Sequence, residues 1–297
     1  MAGAVVNVES LIEKCRSEAN LPKVPEVTLR LVNALQSEEP DFSEIERLVT
    51  TDPGMTATII RMACSAYYGQ GQTYTTVRAA LNVLGLKELD RIVTTEWMQT
   101  VACSSKASAN FNRFRFSYHC LFTGFMAAAV LKRAKQKYPG KSATEIDQVF
   151  SLGLLHDVSV GLLSSVDPAV CSNLIDKAKE SGKSVGEVFT DTYDCKLEML
   201  GVTASQTWQM PQLFQDAMWY SGMGHRHPTD PIAYASVDYA HWVAEHNDAG
   251  IHEWTFDCDV DRRLHPVIGL PEAEMGEALE SAHRSTRDYL SVAGIAG

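Results

Sequence analysis

IERLVTTDPGMTATIIRMACSAYYG, residues 45–69, carries the start signal that decides the fold class. Asp52 can cap a helix, and Pro53 at the first helical position lacks only an N–H that would have no partner there. Beyond it Ile59, Ile60, Ala63 and Ala66 or Tyr67 recur at helical spacing. The same Asp-Pro signal returns at Asp167-Pro168. Ser43 with Glu46, and Ser184 with Glu187, each fit a capping box. Gly85 after VRAALNVLG reads as a helix stop, and the long stretch from Arg115 to Tyr138 ends at Pro139-Gly140. No alternating strand pattern of useful length and no fixed-period repeat occurs. The expectation is an all-α domain of about a dozen short and medium helices.

The 297 residues suffice for one large domain or two ordinary ones. Two helical halves can be distinguished, residues 8–104 and 113–246, joined by the small-polar stretch CSSKASANFN at 103–112. Both are apolar enough to share one core. A carboxy-terminal extension, 247–297, begins irregularly through Leu270 and ends in a helix expected from Pro271 to Tyr289.

Composition excludes several function classes. No window holds eighteen consecutive apolar residues, so no membrane span is expected. The start, MAGAVVNVESLIEKC, lacks a basic region, and Glu9 and Glu13 interrupt any apolar core, so the expected compartment is the cytoplasm. Seven scattered cysteines without a CxxC argue against a disulfide framework or a structural zinc site. The net charge of −11 opposes nucleic-acid binding, and the basic run Lys132–Lys137 reads as a solvated helix C-terminus. A nucleic-acid regulator is therefore disfavoured. There is no GxGxxG or Walker pattern and no GxSxG.

Against this background GLLHDVSVGLL, residues 153–163, stands out. His156 and Asp157 are an ionisable pair inside an apolar run, and burial of such a pair is costly unless it is paired, hydrogen-bonded or bound to metal. A working metal site, a vestigial one and a satisfied core pair all fit.

The segments LPKVPEVTLRLVNAL, IERLVTTDPGMTATIIRMACSAYYG and TVRAALNVLGLKELDRIV together resemble the amino-terminal half of HDOD domains, bacterial signalling modules related to HD-domain phosphohydrolases. FSYHCLFTGFMAA, GLLHDVSVGLL and WQMPQLFQDAM are similar to the HD-like half that follows, and the resemblance covers roughly residues 20–240. It implies an all-α fold and a role in signal transduction or regulation, commonly without demonstrated catalysis.

The resemblance also implies a site. Active HD hydrolases use a His, a His-Asp pair and an Asp, here matched by His119, His156, Asp157 and Asp238. Such a set suits one divalent metal, the only cofactor implied, and a metal can generate a nucleophilic water near neutral pH. The departures bear on catalysis. The HD-x-G-K of active HD-GYP relatives becomes Ser159 and Val160, so the cation is missing. Their further His falls on Leu197, and their His-His pair falls on Ser221 and Gly222. Singly, each of the four matched residues reads as a satisfied core group; together, in family order, they read as a shared site.

The expected function is thus a non-catalytic signalling module acting through protein or small-ligand binding. The alternative is a metal-dependent phosphohydrolase acting on a nucleotide or cyclic dinucleotide. Trp97, Trp254 and Tyr220 are candidate anchors for a protein partner, with core positions as the other reading. Asp257, Asp259 and Asp261 mimic a calcium loop, but Arg262 and Ile268 replace its required Gly and Glu. His225 and His227 lack a third nearby ligand and read as a solvent loop.

Overall fold

A computed structural model describes residues 7–69, 72–102, 108, 110–251, 268 and 275–295. Helices account for all the regular structure there, with no strand among the described residues. In chain order they are α1 (Val8–Cys15), α2 (Glu26–Leu35), α3 (Phe42–Thr51), α4 (Pro53–Ala63), α5 (Val77–Ala102), α6 (Arg113–Lys137) and α7 (Ile146–Leu155). Then follow α8 (Val158–Val166), α9 (Pro168–Ser181), α10 (Val185–Tyr193), α11 (Glu198–Thr207), α12 (Gln212–Trp219), α13 (Pro231–Glu245) and α14 (Gly276–Ala293).

The start signals act as their chemistry demands. Asp52 accepts from the Met55 amide at 2.8 Å to open α4, and Asp167 accepts from the Val170 amide at 3.1 Å to open α9. Ser184 and Glu187 close a reciprocal capping box on α10. The box expected at Ser43 and Glu46 does not form. Asp41, two residues earlier, caps α3 by accepting from the Ser43 amide at 2.8 Å, and Glu46 instead pairs with Arg78. Gly85 takes φ 77° and ψ 165°, so it breaks helical geometry as expected, yet the chain resumes its helix at once and α5 is kinked rather than ended. The final helix is shifted: it spans Gly276–Ala293 and stops at Gly294 in the left-handed region, φ 74°.

The two halves share one core, to which α5 contributes its apolar face against α2 and α4 on one side and α7 and α8 on the other. Trp97 is wholly buried there, edge-on to Trp208 at 5.6 Å and Phe214 at 5.3 Å, so it is a core residue and not a partner anchor. The ends of the chain are laced across. From the first half, α1 packs on α8 and α11, with Lys14 on Asp167 at 2.7 Å and the Thr207 hydroxyl donating to the Cys15 carbonyl at 2.9 Å. From the extension, α14 packs on α6 and α4, and Arg61 donates to the Ala293 carbonyl at 3.2 Å.

Two stretches, within Arg113–Lys137 and Ile146–Val166, are long and apolar enough to pass for membrane spans, but 67% and 89% of their most apolar windows are buried inside the protein. Cys15, Cys64, Cys120, Cys171 and Cys195 form no disulfide. Trp254, the Asp257–Asp261 triplet, Cys103 and Cys258 lie outside the described residues.

Candidate metal centre

The site is built on a close crossing of α6 and α7. A Cβ on Gly153 would lie 2.9 Å from the Gly124 Cα and from the Thr123 carbonyl, and a Cβ on Gly124 would lie 2.9 Å from the Phe150 carbonyl. Two glycines thus let the helix backbones touch, which few side chains would allow. The contact fixes what lies beside it. His119 projects from α6 fully buried, and His156 ends α7 at 1% exposure. Asp157 occupies the turn between α7 and α8, with φ −107° and ψ 11°. Adjacent residues on a continuous helix point about 100° apart. The junction removes that constraint and lets His156 and Asp157 face one point.

A third helix completes the group. From α13, which packs on both α6 and α7, His241 brings Nδ1 to 2.5 Å from His156 Nε2. His119 Nε2 lies 3.2 Å from His156 Nε2. Asp157 Oδ2 lies 3.4 Å from each of those two nitrogens and 3.7 Å from His241 Nδ1. All four atoms fall within 4.8 Å of one another. Metal–ligand bonds of about 2.1 Å in a tetrahedron place ligand atoms about 3.4 Å apart; the separations of 3.2 to 3.7 Å lie near that spacing, and the His156–His241 contact is shorter.

The tautomers point the same way. His119 Nδ1 faces the Ala249 carbonyl at 3.0 Å, and His156 Nδ1 faces the Gly153 carbonyl at 2.7 Å. A carbonyl oxygen can only accept, so both protons sit on Nδ1 and both Nε2 atoms of the neutral rings present lone pairs. The two Nε2 lone pairs meet at 3.2 Å beside a carboxylate oxygen, and a cation, either a proton or a metal ion, would resolve that meeting.

The electrostatics are divided accordingly. Burial holds His119 below the ordinary histidine range and His241 down at about 4. For His156, burial is outweighed by the Asp157 carboxylate and the Gly153 hydrogen bond, and the ring is pushed up. Burial likewise opposes ionisation of Asp157, but His156, His241 and the imidazole contacts hold it well below the usual carboxylate range. One edge of the site is open: the His241 side chain is 34% exposed.

Of the four residues matched in the sequence, the structure brings together His119, His156 and Asp157 and sets Asp238 apart. Both Asp238 oxygens are taken by backbone donors, Gly222 N–H at 2.9 Å and Gly224 N–H at 2.6 Å, which tie the loop after α12 to α13. Burial, against those donors, pushes Asp238 up to about 7. His241, three residues further along the same helix, is the fourth residue of the cluster and offers its Nδ1 there. Its signal was present as Asp238-x-x-His241-x-x-x-Glu245, three polar residues on one face of an otherwise apolar helix.

The departures from active relatives have structural counterparts. Val160 is buried at 8% exposure and Leu197 at 2%, so both are core residues. The Gly222 amide is committed to Asp238. His227 stacks on Tyr234 at 3.7 Å, accepts from the Asp230 amide at 3.1 Å and takes no part in the cluster.

The sequence matches the model of the HDOD domain over residues 21–222. None of the curated proteins compared with it matches. Among solved structures, an HDOD domain protein from Geobacter sulfurreducens superposes with a TM-score of 0.70 at 17% identity, covering 94% of this chain and 98% of that one. A protein from Marinobacter aquaeolei VT8, provisionally named for signal transduction, gives 0.72 at 15% identity over 97% of this chain and 61% of that one. A Shewanella amazonensis SB2B protein, provisionally named a phosphohydrolase, gives 0.68 at 18% identity over 96% and 97%. At such identities the likeness concerns the fold. The match to the family model covers well over half the sequence, and by it this chain belongs to the HDOD family.

Proposed function

We propose that the chain is an HDOD signalling module whose HD-type site holds one divalent metal ion without turning over a phosphate ester. The observation that carries this reading is the convergence of three imidazole nitrogens and Asp157 Oδ2 on one point, with lone pairs facing lone pairs. Three nitrogens and one oxygen suit a borderline ion such as Zn²⁺ or Fe²⁺ better than Mg²⁺, which prefers oxygen. When bound, such an ion supplies charge stabilisation and an acidified water.

The chain's own residues supply less of what phosphoryl chemistry needs. The position of the phosphate-supporting lysine is the buried Val160. The positions of a further His-His pair are Ser221 and Gly222, the latter bound to Asp238. Asp157, which its imidazole neighbours hold well below the usual carboxylate range, adds negative charge where a phosphate would enter. A site with an ion but no second metal and no cationic clamp is suited to holding helices α6, α7 and α13 in one arrangement, which a partner protein would then read.

Metal analysis, thermal unfolding with and without Zn²⁺ or Mn²⁺, and hydrolysis assays on nucleotides and cyclic dinucleotides test this together. The expected result is one ion per chain, a raised Tm and no turnover. Multiple turnovers abolished by His156→Ala would replace it with the phosphohydrolase reading.

A further inference from the structure

Behind His119 lies a carboxylate that the ligand set does not use. Glu245 ends α13, one helical turn beyond His241, and its side chain is only 6% exposed. Its Oε1 accepts from the Ile251 amide at 3.2 Å and lies 3.4 Å from His119 Nδ1. Its Oε2 is buried and has no hydrogen-bond partner among the described residues. A buried carboxylate with one oxygen unpaired is costly on its own account, so its place beside a ring of the cluster calls for a reason.

We propose that Glu245 is a positioning residue for the metal centre: its carboxylate, 3.4 Å from the His119 Nδ1 whose proton the Ala249 carbonyl accepts, holds the ring with Nε2 toward the ion and offsets part of the ion's charge. This rests on the single-ion reading above. Three imidazoles contribute no charge when neutral, and Asp157 contributes one negative charge. A divalent ion therefore leaves one positive charge over, and Glu245, whose carboxyl burial pushes up in the metal-free chain, is a buried group placed to offset it through the His119 ring. The helical register makes the pairing economical, because residues four apart share a face. One turn of α13 thus delivers a direct ligand, His241, and the group that orients a ligand on another helix, His119. Carboxylates that hold the far nitrogen of a metal-bound imidazole raise its basicity and fix its orientation, and their loss typically costs 10–100-fold in metal affinity.

The test uses the full chain with Zn²⁺ as probe. E245Q keeps shape and removes charge; E245D keeps charge and shortens the reach. Two quantities are read: Zn²⁺ affinity by competition with a chromophoric chelator, and, in metal-free protein, the His119 Nδ1–H resonance by NMR. E245Q is expected to weaken Zn²⁺ binding about 10–100-fold with native circular dichroism, and to move the Nδ1–H resonance upfield as the carboxylate contact is lost. E245D should recover part of both, which separates a charge effect from a packing effect and serves if E245Q does not fold. Zn²⁺ affinity in E245Q within twofold of the parent, or an unmoved resonance in both variants, overturns the inference while leaving the ion site intact. A parent protein that binds no Zn²⁺ overturns the single-ion reading and the charge-balance argument with it, and the positioning of His119 then stands or falls on the resonance alone.

Discussion

Two buried polar clusters in this molecule differ in how they close. Around the second segment of α5, Arg91 bridges Glu88 at 3.3 Å and Asp147 at 2.6 Å, and Lys87 also reaches Asp147 at 2.9 Å. Tyr68 donates to Glu88 at 2.5 Å, and Gln36 donates to Asp90 at 2.8 Å. Every carboxylate there meets a donor, with Arg91 Nε alone of the guanidinium nitrogens left buried without a partner among the described residues, and the network fastens the amino-terminal half to α7. The cluster of His119, His156, Asp157 and His241 is closed on its outer side by carbonyls and left open on its inner side, where lone pairs converge. Structural polarity satisfies itself; a binding site keeps valence in reserve. The difference gives distinct responses to mutation, metal and pH.

The largest effect is expected at the open cluster. His156→Ala removes the ring that touches both other imidazoles and Asp157. The remaining buried carboxylate loses its nearest compensation, and the apo protein should lose about 3 kcal/mol of stability. It should also lose the gain from added ion, which for the parent is about 2.7 kcal/mol at a concentration of 100 times Kd. Urea melts with and without Zn²⁺ measure both. A variant that still gains stability from Zn²⁺ would show that the ion binds elsewhere.

Next comes the helix crossing that positions the cluster. Gly153→Ala places a methyl 2.9 Å from backbone atoms of α6, which cannot rotate away. Such overpacking costs about 1–3 kcal/mol. It should spread α6 from α7 and weaken Zn²⁺ binding as well as lowering Tm. The same substitution at Gly186, in α10, where a Cβ meets nothing nearer than 3.9 Å, should leave Zn²⁺ binding unchanged and raise Tm slightly, and serves as the control.

How much of this was legible in the sequence follows from the range of the forces involved. Caps are local, so Asp52, Asp167 and Ser184 declared their helices directly. Ser43 misled because Asp41, equally able to cap, stood two residues earlier, and the winner depends on where α3 begins its contact with the core. The His-Asp pair was visible as polarity in an apolar run. His241 was visible only as a polar position on an apolar helix, because its role depends on α13 crossing α6 and α7, a contact between residues more than eighty positions apart. Asp238 fitted the family order better, yet the glycine amides of a loop capture it first. Trp97 could have been surface or core; only the convergence of Trp208 and Phe214 on its ring decides it.

The closed network should answer to pH rather than to metal. Burial, beyond the help of Gln36 and Ser151, pushes Asp90 up to about 6 from its ordinary 3.8. A carboxyl raised in the fold binds its proton more tightly there than in the unfolded chain, so stability falls as pH rises from about 4 to 6 and the full cost persists above that. Asp90→Asn keeps an acceptor for Gln36 and removes the charge. It should therefore stabilise the protein by on the order of 2 kcal/mol at pH 7.5 and by almost nothing at pH 4. Zn²⁺ should shift the melt of this variant as much as that of the parent. A gain independent of pH would mean that Asp90 is not the group that titrates.

The smallest effect tests whether the residue in the former glycine position of HD-x-G-K belongs to the site or to the core. Ser159 is 2% exposed, its hydroxyl has no hydrogen-bond partner among the described residues, and it fills the space beside Gly201, where a Cβ would lie 2.3 Å from the hydroxyl oxygen. That geometry describes packing between α8 and α11. Ser159→Ala removes an unsatisfied hydroxyl and should stabilise by about 1 kcal/mol. Gly201→Ala in the parent should destabilise, because the new methyl meets the hydroxyl and the Met218 side chain. In a Ser159→Gly background the serine part of that clash disappears, so the two substitutions should couple by about 1 kcal/mol in a double-mutant cycle. The coupling should be the same with and without Zn²⁺, since neither residue faces the converging nitrogens. A coupling that appears only with the ion bound would move Ser159 from the closed kind of contact to the open kind, and would make the serine part of what the metal centre controls.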